Sequence, residues 1–168
     1  MKVYISGNRD EVISEATRQK FRIVADMLRY KGWEPFDPTD EEWQIHLKKA
    51  YERDKGTYQP YTDGHMPSFQ TYCLLRNIMA LSVKDAICVI DDYVASPVAL
   101  TELAFAETAG MIVYIAGSQE SAEHYLYKRR WILLSMEAGG KSFQDTWPDI
   151  CENFMESNLA STWLPIKF

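Results

Sequence analysis

The sequence predicts an α/β fold built on a mostly parallel sheet, and three features carry this prediction. Residues 86–90 (AICVI) form a short continuous apolar run, which is typical of a parallel strand buried on both faces. A second apolar run lies at 111–116, and the residues between the two runs have the pattern of a helix. The two runs therefore indicate a βαβ unit with a right-handed crossover. A third strand, at 2–6, ends in a turn that contains glycine.

The other elements follow from periodicity and from residues that begin or end helices. Ser96-Pro97 suits a helix start, because Ser caps the first turn and Pro tolerates the first helical position, and Gly110 suits its end. Pro35 indicates that the short strand 33–36 lies at a sheet edge. The remaining predicted helices are 11–31, 41–53, 68–83, 119–138 and 142–157. The predicted core positions are Phe21, Val24, Ala25 and Leu28 in the first of these helices, and Tyr72, Leu75, Met79 and Val83 in the third.

Length and charge bound the class of protein. A chain of 168 residues suits one α/β domain, with 118–168 as a helical extension of that domain. Its net charge of −6 argues against binding to a nucleic-acid polymer, which needs a basic surface. The cysteines lack metal-ligand spacing, no apolar run reaches the ~20 residues of a membrane span, and the first residues are too polar for a signal peptide. We therefore expect a cytoplasmic protein with no metal site.

Glu102 has an unexpected position in the helix that follows residues 86–90. The apolar stripe around it consists of Val98, Ala99, Phe105, Ala106 and Ala109. Glu107 lies roughly 140° further round the helix, so one narrow solvated strip cannot hold both carboxylates. We expect Glu102 to lie in or beside a pocket, where a carboxylate needs a partner. The alternative is a solvated side chain on an ordinary sheet-flanking helix.

Gly7, Asn8 and Arg9 directly follow the first strand. In open α/β sheets, ligands bind beyond the carboxyl ends of the strands, and a helix start at that edge favours an anion. Glycine lets a ligand approach the backbone, and Arg9 suits a phosphate or a carboxylate. The alternative is a plain turn that carries a surface arginine.

Three further features each have a functional and a structural interpretation. Tyr58 and Tyr61, in the loop 54–67, either cover a planar ligand or pack the loop against its own domain. His46, among Lys and Gln side chains, is typical of a surface residue. The apolar tail 159–168 docks on its own domain or on a neighbouring subunit, and we favour the subunit interface.

Three short motifs occur in order at predicted strand ends: VYISGNR at 3–9, DP at 37–38, and DAICVIDDYVASPVALTELAFAETAG at 85–110. Together they resemble the nucleoside 2-deoxyribosyltransferase superfamily, including its 2′-deoxynucleoside 5′-monophosphate N-glycosidase branch and related small domains from bacteria and phages. The resemblance spans roughly residues 2–116. It implies a flavodoxin-like three-layer sandwich, and a homodimer or a larger assembly of dimers.

The resemblance also implies roles for individual residues. Glu102 matches the family's nucleophile, a Glu in the helix after the central strand. Ser96, six residues earlier, matches a position that is Asp in the transferases and Ser in the N-glycosidases, where it contacts the 5′-phosphate. A hydroxyl at a helix N-terminus suits a phosphate, whereas an Asp would repel it. The positions implied to bind substrate are Tyr4, Gly7, Asn8, Arg9, Asp37 and Ser96.

Asn77 departs from the family's pattern. The resemblance places an Asp eight residues before Asp85, where it assists proton transfer to the leaving base, but this chain has Asn77 there. An amide forms hydrogen bonds but supplies no titratable proton. Either Asn77 only orients the base, another acid such as Asp91 or Asp92 replaces it, or the domain binds without turnover.

The resemblance thus implies cleavage or transfer of the N-glycosidic bond of a nucleoside or its 5′-monophosphate, with no metal or organic cofactor. The expected mechanism is that of retaining glycosidases, in which one carboxylate attacks the anomeric carbon. The alternative, from another class, is a nucleotide-binding or nucleotide-sensing module that has lost catalysis. In both cases the expected ligand is a small nucleotide or nucleoside.

Overall fold

The computed structural model describes residues 1–9, 13–55, 66–137 and 157–166, and of residues 130–137 only the backbone. In chain order the elements are β1 (Lys2–Ser6), α1 (Glu15–Tyr30), β2 (Glu34–Phe36), α2 (Glu41–Lys55), α3 (Phe69–Leu81), β3 (Ala86–Ile90), α4 (Pro97–Thr108), β4 (Ile112–Gly117), α5 (Gln119–Glu137) and β5 (Trp163–Pro165). Among the described residues, none of the helices has the length and apolar character needed to cross a bilayer.

The protein has an α/β fold in which helices flank one parallel sheet of five strands, in the order β2-β1-β3-β4-β5. This order is the one typical of flavodoxin-like folds, so the predicted fold class is confirmed. β2 lies at a sheet edge, as Pro35 predicts, and all five residues of β3 are buried. The chain forms two compact units, Met1–Val113 and Tyr114–Phe168. The prediction of a single domain stays a prediction.

Helix α1 begins four residues later than predicted. Ser14 caps it, because its side-chain oxygen accepts the backbone N–H of Thr17 at 3.2 Å, and residues 13 and 14 are not helical. The predicted core face of this helix is confirmed, since Phe21, Val24, Ala25 and Leu28 are all buried. The periodicity of this helix therefore predicts its buried face. It does not predict the first residue, which depends on the single side chain that caps the helix.

The predicted core face of α3 is wrong. Tyr72 is buried, but Leu75, Met79 and Val83 are 49%, 59% and 71% exposed. Instead, α3 turns Tyr72, Asn77 and Leu81 inward, and it packs against α2 and α4. Apolar residues occur on more than one side of this helix, so the periodicity does not decide which side faces its neighbours.

Helix α4 begins as the sequence predicts. The Ser96 side chain caps it by accepting the backbone N–H of Ala99 at 3.2 Å, and Pro97 is its first residue. Gly110 follows the helix with a φ of +69°, a conformation that favours glycine. Ala99 and Ala106 of the predicted stripe are buried, but Ala109 is exposed because it is the C-cap.

Residues Trp163–Pro165 form strand β5, which the sequence analysis did not predict because three residues with a proline are too short to show periodicity. β5 pairs in parallel with β4, and the Trp163 indole donates to the Gly117 carbonyl at 2.9 Å. This part of the tail therefore docks on its own chain. The helix predicted at 142–157 and the loop with Tyr58 and Tyr61 fall almost entirely outside the described residues.

Candidate functional site

Strand β1 and helix α4 bring a set of polar side chains together inside the Met1–Val113 unit. Successive residues of a strand point to opposite faces, so Tyr4 and Ser6 share one face of β1. Helix α4 follows β3, the neighbour of β1 in the sheet, and packs against both strands. Its sixth residue, Glu102, accepts hydrogen bonds from the side chains of Tyr4 and Ser6.

The Glu102 carboxylate is completely buried and accepts three side-chain hydrogen bonds. The Tyr4 hydroxyl donates to Oε1 at 2.8 Å, and Arg9 Nη2 donates to the same oxygen at 2.5 Å. The Ser6 hydroxyl donates to Oε2 at 2.6 Å. A charge removed from water is tolerated when it is paired and its lone pairs are satisfied, and these three donors meet that need. The predicted burial of Glu102 is confirmed.

Arg9 and Glu102 form an ion pair with little access to water, since the Arg9 side chain is 9% exposed. Burial alone lowers the pKa of an arginine, but the Glu102 carboxylate outweighs this and raises the pKa of Arg9 above its usual value. Burial, reinforced by the charge of Glu102, raises the pKa of Tyr4 well above its usual value. Tyr4 is therefore a neutral hydrogen-bond donor at physiological pH.

This cluster lies at the switch point of the sheet, between β1 and β3, where the order of strands changes direction. Flavodoxin-like folds bind ligands at this point, beyond the carboxyl ends of the strands. Ser6 is the last residue of β1, Arg9 follows it, and α4 begins directly after the loop that follows β3. The polar residues thus lie at the edge of the sheet where flavodoxin-like folds bind ligands.

Asn8 and Asp92 join the two loops at these strand ends. The Asn8 backbone N–H donates to the Asp92 carboxylate at 3.1 Å, while Lys20 pairs with that carboxylate and donates to the Asn8 carbonyl at 3.2 Å. These contacts hold the turn that carries Arg9. The role of Asp92 as an acid stays a prediction, and the structure shows its carboxylate engaged with a cation.

Gly7 is buried, and the group that approaches its backbone is the Ile90 side chain. A Cβ atom at this position would lie 3.0 Å from Ile90 Cβ, closer than well-packed carbon atoms come. The close approach that the sequence predicts for a ligand is therefore made by the end of β3. Ser96 is buried as well, and its side-chain oxygen caps α4.

Asp37 follows β2 and accepts two hydrogen bonds from Thr39, one from the backbone N–H and one from the hydroxyl, each at 2.7 Å. Burial raises the pKa of Asp37, and the two hydrogen bonds from Thr39 partly offset this rise. Arg18 donates to the Thr39 carbonyl at 2.7 Å and so braces the same turn. Asp37 is therefore held within its own turn and forms no hydrogen bond with Glu102.

Asn77 is 6% exposed and is joined to Trp43 of α2, whose indole N–H donates to its side-chain oxygen at 3.0 Å. The Trp43 ring lies edge-on to Phe36, with centroids 5.0 Å apart, and Phe36 stacks on Tyr4 at 5.4 Å. A column of aromatic rings thus runs from the Glu102 cluster to Asn77. The structure places Asn77 at the far end of this column, with no hydrogen bond to Glu102.

Open cavities lie elsewhere in the unit, along a surface that we term the edge groove. It consists of two cavities of about 470 and 520 Å³ that share Asp37, Asp40 and Glu42. Phe36, Trp43 and His46 line the larger one, and Arg18 and Arg22 line the smaller one. Glu102 lines neither cavity, so access to it requires a side chain to move.

Sequence reasoning missed three residues of the site: Ser6, Lys20 and Trp43. Ser6 had a usable signal, because it lies two residues after Tyr4 and therefore on the same face of β1. Lys20 and Trp43 had none, since they belong to helices whose orientation is set by packing. Within the described segments, no group of three or more His, Cys, Asp or Glu side chains is placed to hold a metal ion.

Comparison of the chain with protein-family models, with curated proteins and with solved structures found no match. The resemblance to nucleoside 2-deoxyribosyltransferases therefore stays a prediction. Chemically, the cluster offers a fixed carboxylate, a guanidinium that can pair with an anion, and two hydroxyl donors. These groups suit nucleophilic attack on an electrophilic carbon of an anionic substrate.

Proposed function

We propose that this protein cleaves or transfers the N-glycosidic bond of a nucleoside 5′-monophosphate, with Glu102 as the nucleophile. The observation that carries the proposal is the buried Glu102 carboxylate, oriented by three donors at the sheet's switch point. Buried carboxylates that need so many partners are costly to keep, and such arrangements are typical of functional sites. The resemblance in sequence motifs supports the same reaction class.

The first step is displacement of Arg9. Glu102 is fully covered, so a substrate reaches it only when one donor leaves, and Arg9 is the donor on a turn rather than in a strand. The substrate's 5′-phosphate would supply the replacement partner for Arg9, since a guanidinium pairs with phosphate as readily as with carboxylate. Binding of the phosphate would thus leave Oε1 with one donor, Tyr4, instead of two, and would open a path to this oxygen.

The chemical steps then follow the retaining glycosidase scheme. A Glu102 oxygen attacks C1′, the electron pair of the C1′–N bond leaves with the base, and the base takes up a proton. Water hydrolyses the resulting ester to a sugar phosphate and the free carboxylate, or a second base attacks C1′ to give a new nucleotide. Tyr4 and Ser6 orient the carboxylate in both steps. Asn77 cannot supply the proton, so it comes from water or from another acid.

The test is base release by the Glu102→Gln variant, with Glu107→Gln as the control. Both changes remove one carboxylate from α4, but Glu107 is exposed. Chromatography of a panel of ribo- and deoxynucleoside 5′-monophosphates incubated with each protein should show free base with the unmodified chain and with Glu107→Gln. Base release by Glu102→Gln should fall more than about a thousandfold, as for loss of a nucleophile. Undiminished release by Glu102→Gln would rule out the proposed role.

A second candidate function is a nucleotide-binding or nucleotide-sensing module without turnover. Two observations favour it: Glu102 is covered by Arg9, and the position of the expected acid is an amide held by Trp43. Such a module would gain thermal stability from a nucleotide and release no base, even at high protein concentration. The same panel of compounds therefore separates the two functions.

We also propose that the protein assembles as a homodimer or a larger assembly of dimers in the cytoplasm. The resemblance predicts the assembly, and the exposed residues Leu75, Met79 and Val83 on one side of α3 and its end support it. Light scattering of the purified chain tests it. Leu75→Glu should shift the mass to that of a monomer, while the exposed Tyr30→Glu should leave the mass unchanged.

A further inference from the structure

Two sets of charged contacts tie the turn after β1 to the segment that leads from β3 into α4. The inner set is the ion pair between Arg9, in the turn, and Glu102, in α4. The outer set is the ion pair between Lys20 of α1 and Asp92, which also accepts the Asn8 backbone N–H at 3.1 Å. Asn8 and Arg9 are neighbours in the chain, so the outer contacts constrain the position of the inner pair.

The outer pair holds the backbone on both sides of Asn8. Asp92 accepts the N–H of this residue, and the Lys20 ammonium donates to its carbonyl at 3.2 Å. That carbonyl belongs to the peptide group that joins Asn8 to Arg9, so Lys20 fixes the main chain from which the Arg9 side chain extends. An arginine side chain has a fixed length, and its guanidinium reaches Glu102 only from a main chain held in the right place.

The two ion pairs differ in their access to solvent. The side chains of Lys20 and Asp92 are 21% and 35% exposed, whereas those of Arg9 and Glu102 are 9% and 0% exposed. Dissolved ions screen a partly exposed pair much more than a buried one, and an anion in solution can compete with Asp92 for Lys20. The outer pair is therefore the weaker of the two, and it is the one that an incoming anionic ligand reaches first.

We propose that the Lys20–Asp92 pair is a latch that controls the displacement of Arg9 from Glu102. While the latch is closed, the turn keeps the guanidinium on the carboxylate; when it opens, Arg9 leaves and a substrate reaches Glu102. Lys20 and Asp92 are positioning residues, because they contact the backbone beside Arg9 and act on Glu102 only through it. The inference rests on the proposed function for its consequence in catalysis, since that function requires Arg9 to move.

The experiment measures how fast phenylglyoxal, which reacts with guanidinium groups, modifies Arg9 in the protein without ligand. The reagent reaches Arg9 only after it has left Glu102, so the rate follows the fraction of open molecules. Mass spectrometry reads the rate at Arg9 relative to Arg53, whose side chain is 67% exposed. Lys20→Met removes the charge and should raise this ratio about fivefold, as for loss of one partly exposed ion pair. Asp92→Asn should raise it as well.

Arg22→Met is the matched control, because it removes a cation from the same helix. The Arg22 side chain is 57% exposed and pairs with Glu15 at 3.7 Å, so its loss should leave the ratio unchanged. Lys20→Arg keeps the charge and the donors, and it should restore a ratio near that of the unmodified chain. An unchanged ratio in Lys20→Met, or an equal rise in Arg22→Met, would overturn the proposal.

Steady-state kinetics separate the latch from direct roles at the substrate. Apparent affinity is proportional to the open fraction, so Lys20→Met and Asp92→Asn should lower the KM for the monophosphate severalfold, with the effect on KM rather than on kcat. Where the chain releases no base, the Kd from calorimetry takes the place of KM. A higher KM or Kd in Lys20→Met would assign Lys20 to the phosphate, and a loss of kcat in Asp92→Asn alone would assign Asp92 as the acid. Either result would overturn the latch.

The outcomes also separate this inference from the proposed reaction. Faster modification of Arg9 in Lys20→Met, without base release from any nucleotide by the unmodified chain, would retain the latch and reject the reaction. Base release by the unmodified chain, together with an unchanged rate of Arg9 modification in Lys20→Met, would retain the reaction and reject the latch.

Discussion

Two carboxylates of the Met1–Val113 unit, Glu102 and Asp40, lie in opposite surroundings. Glu102 is fully buried and accepts hydrogen bonds only from side chains, one of them the cation Arg9. Asp40 is exposed in the edge groove and accepts the backbone N–H groups of Glu42 and Trp43 at 2.9 and 3.4 Å, which caps the start of α2. Each carboxylate accepts hydrogen bonds from the protein, but only that of Asp40 is exposed to solvent.

The comparison shows that the two cavities of the edge groove and the buried Arg9–Glu102 ion pair involve different residues of this unit. The edge groove has volume and many charges, and its carboxylates Asp37 and Asp40 accept hydrogen bonds from residues two or three positions away in the chain. Glu102 lines neither of these two cavities, yet it forms an ion pair inside the protein, where losing one partner leaves the other uncompensated. We therefore place the candidate site at the buried carboxylate with specific partners and not at the cavities of the edge groove.

The largest effect should come from removing the cation of the buried pair. Arg9→Met keeps the length of the side chain but leaves Glu102 buried without a countercharge, which should lower the free energy of unfolding by about 3–5 kcal/mol. Arg53→Met is the matched control, because Arg53 pairs with Asp54 on the exposed surface of α2, and little change is expected. Urea unfolding measures both. Similar losses in the two variants would contradict the contrast between buried and exposed charges.

A smaller loss should follow from removing one neutral donor. Tyr4→Phe keeps the ring stacked on Phe36 but deletes the hydroxyl that donates to Glu102, and hydrogen bonds to charged groups contribute about 1.5–3 kcal/mol. Tyr72→Phe deletes a hydroxyl that donates at 2.7 Å to the carboxylate of Asp54, which unlike Glu102 is partly exposed. Thermal unfolding should therefore show a smaller decrease for Tyr72→Phe. A larger decrease for Tyr72→Phe would reverse the ranking.

The smallest effect should come from the edge groove itself. Asp40→Ala removes the cap of α2 and should lower the free energy of unfolding by about 1 kcal/mol, whereas Asp40→Ser keeps a capping oxygen and should restore most of it. Urea unfolding of the two variants, compared with Arg9→Met, completes the series. A loss for Asp40→Ala as large as that for Arg9→Met would show that exposed and buried carboxylates contribute alike.

Local patterns predicted most of the architecture through residue 117. Three predictions each depend on residues close together in the chain: the buried strand β3, the cap at Ser96 and the buried face of α1. The structure confirms all three. The misplaced start of α1 and the wrong face of α3 show the limit of such patterns. The start of α1 depends on the Ser14 hydroxyl that caps it. The buried face of α3 depends on its packing against α2 and α4.

The burial of Glu102 could be predicted because Glu102 and Glu107 lie on well-separated sides of a largely apolar helix, so one narrow solvated strip cannot hold both carboxylates. The three donors could not be predicted together, since they are separated from Glu102 by 93 to 98 positions along the chain. Arg9 was proposed from its place after the first strand and Tyr4 from motif resemblance, both as substrate-binding residues, while Ser6 was missed despite sharing a strand face with Tyr4. The Trp43–Asn77 contact had no sequence signal at all.

By itself, therefore, the sequence determined the kinds of elements, their order, and the carboxylate that must find partners, because those depend on local periodicity and on the free energy of burying charge. Only the tertiary structure decided which partners Glu102 has, which side chain contacts the Asn77 amide, and which side of α3 is exposed. Those properties depend on how strands pair and helices pack, because only pairing and packing bring residues that are far apart in the chain into contact.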